Sequence, residues 1–427
     1  MIYFSQNNMV KKLVTQIYNE RGSNLGLLLE LLVVSVVLWY VVDNLYCRYI
    51  TYTQPMGINI EHCYSVSLGE LKPEAKGYVA YTKKDEERHA AIWNLLNRIS
   101  HRPEVEAVAV ASFNSVPYSL GNSNTTFKYD TLQQAVRRLE ASSDYFRVFR
   151  IRGGRGENPE QLAELMKTGQ FMLSANVLDK YDMDITSLIG KDNFHLYGNP
   201  DRNDRLTGTF QPIRMNEYVE LNSHDSRTIF FTMGQSALYL GDSDCFVVRV
   251  RADQDHDFIE RLTADAAKDL KEGNIYISDV RSIEDMKRVR LQEKDQETML
   301  FVFGMGFLLL NIFLGLLGTF WFRTQQRKCE IALHLVHGAT RKDVFCRLLC
   351  EGLYLIALVT PLAMFIDLQL AFNDLNALFD GAYLEWGRFL ICVGISALSI
   401  AVMMFVGIWF PARKAMKVEP AVALHGE

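Results

Sequence analysis

Hydrophobic positions are strongly segregated along this chain. Met299 to Phe322 runs without a formal charge, long enough as a helix to cross about 30 Å of hydrocarbon. Phe389 to Phe410 is a second uncharged run, and Leu25 to Val42 and Leu348 to Ile366 are shorter runs that each carry or adjoin one acid, Glu30 and Glu351. The pattern predicts four membrane-spanning helices, one followed by three. They divide the chain into a lead 1–24, a first span 25–46, a large domain 47–297, a second span 298–322, a loop 323–346, a third span 347–366, a short loop 367–388, a fourth span 389–410 and a tail 411–427.

Between the first two spans the periodicity changes. Ile58 to Leu68, Glu104 to Phe113 and Phe246 to Arg251 read as strands, and Asp85 to Ile99 and Asp257 to Leu270 as amphipathic helices. A strand, helix, strand module, 47–144 and 245–281, is expected to flank an inserted subdomain, 145–244, rich in Gly, Asn and Asp with short strands such as Thr228 to Met233. Gly154 to Gln161 reads as a turn entering a helix. The fold class is therefore an α+β membrane protein with a mixed α/β domain between the first and second helices. From Ser282 no Gly or Pro occurs before Gly304, so a stalk helix, 282–297, is expected to run unbroken into the second span, about 24 Å of helix at 1.5 Å per residue. In the lead, Val10, Leu13, Val14 and Ile17 have the spacing of an interfacial helix, or the segment is a short frayed tail.

Composition alone would conceal all this: 22% charged residues, a net charge of −5 and a mean hydropathy of −0.01 resemble those of a soluble protein. The position of the charges is more informative. Six basic residues lie between Arg323 and Arg347, others precede the first span and follow the fourth, and the short loop has only Arg388. Basic residues are retained on the cytoplasmic side, which places both termini in the cytoplasm and residues 47–297 outside. The exit of the first span offers no small-x-small cleavage site, so it reads as an uncleaved anchor.

Catalytic chemistry is not visible. There is no H-E-x-x-H, no G-x-S-x-G and no Walker P-loop, and His334 and His337 lack a third ligand nearby. No metal, cofactor or nucleic-acid partner is expected for this chain. Of seven cysteines, Cys47, Cys63 and Cys245 fall outside; the odd number argues against a disulfide framework but leaves a Cys63–Cys245 bridge open. Glu30 and Glu351 lie near the cytoplasmic ends of their spans and read as structural; Glu30 can snorkel to the interface or pair with a basic residue such as Arg21 or Arg347.

The loop between the second and third spans is carefully punctuated. Glu330 to Val336 is short and amphipathic; Gly338 can close it in the left-handed conformation, and Thr340-Arg341-Lys342-Asp343 has the form of a capping box opening the next helix. Ile331, Leu335 and Val336, flanked by Arg327, Lys328 and Arg341, would dock a cytoplasmic protein or rest on membrane lipids.

Arg327-x-x-Glu330-Ile331, Gly338-Ala339-Thr340-Arg341 and Glu351-Gly352, with the closing Pro411-Ala412-Arg413-Lys414-Ala415, Glu419-Pro420 and Ala423-Leu424, resemble the signature of the MacB/FtsX/LolC-type ABC transporter permeases. Phe146 to Arg155 and Met172 to Asp192 resemble the family's periplasmic segments. Cys329 and His337 depart from the usual pattern. The resemblance implies a non-catalytic permease subunit of a bacterial inner membrane, a homodimer or a heterodimer with a related permease, whose short cytoplasmic helix inserts into a separate ATPase carrying ATP and Mg. Arg327, Glu330, Ile331, Leu335, Val336, Gly338, Ala339, Thr340 and Arg341 would form that coupling surface. ATP hydrolysis would move the periplasmic domain by mechanotransmission, exporting or extracting an amphiphilic, peptide or lipoprotein cargo, with a periplasmic adaptor or outer-membrane protein as a further partner. The alternative is a signalling scaffold that activates a cell-wall hydrolase or senses antimicrobial peptides.

Overall fold

Alternation along single strands builds a sheet buried on both faces. The computed structural model describes residues 21–196, 204–233, 244–326, 333, 336–379 and 381–415. Two compact units result, Ile50–Gln296 and the remainder. The expected lead helix lies outside the described residues, apart from its last four positions, which already belong to α1 (Arg21–Thr53).

In the unit Ile50–Gln296, β1 (Cys63–Glu70), α2 (Lys84–Ser100) and β2 (Val105–Ser112) are followed by the hairpin β3 (Asn124–Tyr129) and β4 (Leu132–Ala141). Then come α3 (Tyr145–Val148), α4 (Pro159–Thr168), β5 (Phe171–Ser174), β6 (Phe194–Leu196), β7 (Leu206–Phe210) and β8 (Thr228–Thr232). The unit closes with β9 (Asp244–Val250), α5 (Phe258–Lys268), β10 (Lys271–Glu272), β11 (Ile275–Ser282) and the start of α6 (Ile283–Gln326). The strand order is β10-β11-β1-β9-β2-β4-β8-β5-β7, with β3 on β4 and β6 on β3.

Val108, Val110, Phe246 and Val248 face one side, against Ile92, Leu95 and Ile99 of α2 and Phe258 and Leu262 of α5. Ala107, Ala109, Ala111, Cys245 and Val247 face the other. Their small side chains admit Tyr145, Phe146 and Phe149, and Ile283 and Leu291 of α6 join the same core. A third core, with Phe127, Phe171, Phe194 and Ile229, fills the second half of the sheet.

The two halves of the sheet meet between β2 and β4 through a single register pair, Ala111 with Ala141. Hairpin β3–β4 belongs to the second half: β4 pairs in parallel with β8, and β3 pairs with β6. The loop-rich composition starts only after residue 144, so it did not mark where pairing with the inserted strands begins. The structure also shortens the first strand. The sequence suggested Ile58 to Leu68, whereas β1 begins at Cys63, after His62 in the left-handed region.

Residues 54–62 are irregular because their carbonyls go to two buried arginines rather than to a ladder. Arg214, fully buried, donates to the carbonyls of Thr51 (2.7 Å), Pro55 (3.2 Å), Glu217 (3.1 Å), Val219 (2.9 Å) and Gln54. Arg249, also buried, donates to the carbonyls of Asn59 (2.7 Å), Glu61 (2.9 Å) and Val148. A planar guanidinium with five fixed donors suits such a cage; a lysine ammonium does not.

No disulfide joins Cys63 and Cys245, which are both free and buried. In the β1–β9 register Cys63 faces Arg249 and Cys245 faces Ser67. Four residues of offset place the two about 13 Å apart along the strands, against a limit near 7 Å for a bridge. Burial pushes both thiols up to about 12, leaving them protonated and unreactive.

Arg214→Ala strands several buried carbonyls, each costing about 1–3 kcal/mol when unpaired. The variant is expected to lose at least about 3 kcal/mol in chemical unfolding followed by near-ultraviolet circular dichroism, and Arg214→Lys to recover less than half of that loss. A wild-type midpoint in both variants would contradict the assignment.

Candidate functional site

Among the described residues, four helices are long and apolar enough to cross a membrane: Leu25–Thr53 in α1, Ile283–Thr319 in α6, Lys342–Phe372 in α7 (Arg341–Phe372) and Trp386–Trp409 in α8 (Trp386–Ala415). The stalk expected from the sequence is the first part of α6, which is unbroken over 44 residues. It follows β11 directly, and the Glu284 amide donates to Ser282 Oγ at 3.1 Å, satisfying one of the amides left open at a helix start.

Within Ile50–Gln296 this first part of α6 is held by side chains that the sequence did not single out. Lys287 Nζ lies 2.5 Å from Glu217 Oε1, and Tyr118 donates to the same oxygen at 3.1 Å. Tyr218 donates to Asp295 at 2.5 Å and stacks edge-on with Tyr52. Burial, then Glu217, raises the Tyr118 phenol above its ordinary value, so it remains a donor. Residues 211–221 therefore touch both the last turn of α1, through Arg214, and the first turns of α6. Beside this contact lies a groove of about 680 Å³ lined by Phe113, Tyr118, Leu120, Met286 and Val289 with charged residues at its margin.

Between α6 and α7 the described residues carry the expected punctuation. Leu333 and Val336 are exposed. Gly338 has φ of +88°, and a Cβ there would meet nothing within 4 Å, so backbone conformation rather than space calls for glycine. Thr340 caps α7: its Oγ1 accepts from the Asp343 amide at 3.2 Å, and Asp343 accepts from the Thr340 amide at 2.9 Å. Ala339 lies between these two features. Arg327, Glu330, Ile331 and Leu335, and the side chain of Arg341, lie outside the described residues.

The helical unit packs Leu27, Leu31 and Leu38 of α1 against Leu355 and Val359 of α7 and Ile400 and Met404 of α8. Glu351 is buried, and at Gly352 a Cβ would sit 2.2 Å from Met404 Sδ; the Glu-Gly pair thus marks where α7 and α8 approach closely. Glu30 is met by Thr319, whose Oγ1 lies 3.3 and 3.1 Å from its two oxygens, rather than by Arg347; the Arg21 side chain is outside the described residues. Among the described residues a hydroxyl on the neighbouring helix meets the acid.

Asp43 and Arg388 form a buried ion pair at 3.1 Å, which the sequence did not reveal. Asp43 also accepts from Asn376 at 3.0 Å and the Ala377 amide at 3.3 Å, while Arg388 donates to the carbonyls of Ala377 (3.1 Å) and Tyr383. The available signal was one acid and one base, each beside an apolar run. Asp367, placed by the sequence in the short loop, is inside α7, which continues to Phe372.

Thr340→Ala removes the cap of α7 and is expected to cost about 1 kcal/mol locally, read as faster hydrogen exchange of the first-turn amides of α7; unchanged exchange would contradict the capping role. Asp43→Ala leaves Arg388 buried without its partner, a loss of about 3–5 kcal/mol, measurable by unfolding in mixed detergent micelles. Asp43→Ala with Arg388→Met should recover part of that loss, and additive losses would contradict the pairing.

Residues 302–420 match the family described as FtsX-like permease C-terminal. No curated protein matches the chain. Among solved structures, a permease-protein domain from Porphyromonas gingivalis is 16% identical with a TM-score of 0.33, and covers 53% of this chain and 92% of its own. The periplasmic region of MacB from Actinobacillus actinomycetemcomitans is 12% identical with a TM-score of 0.32, covering 56% of this chain and 96% of its own. The extracellular domain of the noncanonic ABC-type transporter YknZ from Gram-positive bacteria is 14% identical with a TM-score of 0.28, covering 50% and 100%. The segment that holds the capped turn, the later part of α6 and all of α7 and α8 is thus the part of the chain that matches the FtsX-like permease C-terminal family.

Proposed function

We propose that this chain is the permease subunit of a bacterial inner-membrane ABC transporter, driven by a separate cytoplasmic ATPase that binds ATP and Mg. The capped turn between α6 and α7 carries the reading. It exposes Leu333 and Val336 beside a helix start fixed by the Thr340–Asp343 box, as an element that takes force from a partner requires. Its position within the FtsX-like match supports the same reading. Arg327, Glu330, Ile331, Leu335, Val336, Gly338, Ala339, Thr340 and Arg341 form the coupling surface in this proposal, with both termini cytoplasmic and the domain between α1 and α6 periplasmic.

Force then travels by mechanotransmission along α6, whose unbroken helix supports the idea. Inside the periplasmic unit, residues 211–221 share the displacement with the end of α1 through Arg214, Glu217 and Tyr218. The cargo class is amphiphilic, peptide or lipoprotein, supported by the mixed apolar and charged lining of the groove beside Tyr118. Two permease copies, or this chain and a related permease, complete the transporter, with a periplasmic adaptor or outer-membrane protein as a further partner.

Ile331→Asp or Leu335→Asp places a charge in the proposed docking face and is expected to reduce co-purifying ATPase at least about tenfold, equivalent to about 1.4 kcal/mol of binding. Insertion and the fold of the periplasmic unit should be unchanged by limited proteolysis. Full ATPase recovery with either variant would contradict the coupling assignment.

A further inference from the structure

Two buried polar atoms in the helical unit have no hydrogen-bond partner among the described residues and belong to side chains that line one small cavity. They are Trp39 Nε1 of α1 and Asp367 Oδ1 of α7, on side chains 1% and 2% exposed. The cavity, about 20 Å³, is completed by Ser35 of α1, Thr360 of α7 and Ser396 of α8 among apolar neighbours. Among the described residues no basic side chain is paired with Asp367, in contrast to Asp43 with its Arg388.

Size and chemistry together select the guest. A cavity needs about 10–15 Å³ to hold one water, and the water needs two to four polar partners. An indole N–H is a donor only and a carboxyl oxygen can accept, so the site offers both a donor and an acceptor to one small molecule. The Ser396 and Thr360 hydroxyls already donate to the carbonyls of Cys392 and Ile356, each at 2.8 Å; their lone pairs remain to accept. A bare cation would satisfy Asp367 but would leave the Trp39 donor without an acceptor. Water satisfies both.

We propose that Trp39, Asp367 and Ser396 form an intramembrane site for one water molecule that bridges α1, α7 and α8. The water accepts from Trp39 Nε1–H and donates to Asp367 Oδ1 and to one hydroxyl oxygen. Asp367 is then retained in an apolar helix as the acceptor of a solvent bridge, and three of the four long helices share one hydrogen-bonded point.

The test is infrared difference spectroscopy of the full-length protein in lipid nanodiscs, in ordinary against heavy-oxygen water, for the wild type, Trp39→Phe, Asp367→Asn and Ser396→Ala. The expected result is an isotope-shifted O–H stretching band in the wild type that is lost in Trp39→Phe and displaced in Asp367→Asn and Ser396→Ala. The absence of any isotope-sensitive band that Trp39→Phe removes would overturn the proposal. So would a band that follows replacement of sodium by choline, because an alkali cation would then be the guest. Should Asp367→Asn fail to give a monodisperse preparation, the wild type and Trp39→Phe decide alone.

Discussion

Five backbone carbonyls converge on the guanidinium of Arg214. A buried charge of this kind is tolerable only when its donors are used, and buried carbonyls only when they are met; each requirement satisfies the other. The chain between α1 and β1 is thereby fixed without secondary structure of its own. Because Glu217 and Tyr218 lie next to the caged carbonyls, the same clamp presents the partners that hold Lys287 and Asp295 of α6. The two points where Ile50–Gln296 continues into long apolar helices consequently both contact one eleven-residue stretch, 211–221.

That arrangement would serve the movement of the domain that the proposed function requires. The start of α6 is packed into a sheet core by Ile283 and Leu291, so displacement of the helix is met by interdigitated side chains with little freedom to yield. The narrow junction at Ala111 and Ala141 divides the sheet into halves with separate cores, and at that junction bending costs least ladder hydrogen bonding.

Local signals carried much of this into the sequence. The four spans, the helix at Lys84–Ser100, the capping box at Thr340 and the unbroken α6 depend on runs of neighbouring residues, and each could be read directly. Strand pairing could not: nothing in Asn124–Ala141 announces that its partners are Phe194–Leu196 and Thr228–Thr232. The buried ion pair of Asp43 with Arg388 and the cage around Arg214 were hidden for the same reason, since they join residues hundreds or scores of positions apart. The contact of Thr319 with Glu30 shows a further limit, because charge complementarity pointed to arginines and gave no reason to look for a hydroxyl on another helix.

In the proposed function, ATP-driven force reaches the unit Ile50–Gln296 through α6 and residues 211–221. Hydrogen exchange of this chain in complex with the proposed ATPase, with and without a trapped nucleotide, measures it most directly. Nucleotide-dependent protection changes are expected in the first turns of α6 and in 211–221, with α2 and α5 unchanged. Changes confined to the cytoplasmic turn before α7, with 211–221 indifferent to nucleotide, would contradict it.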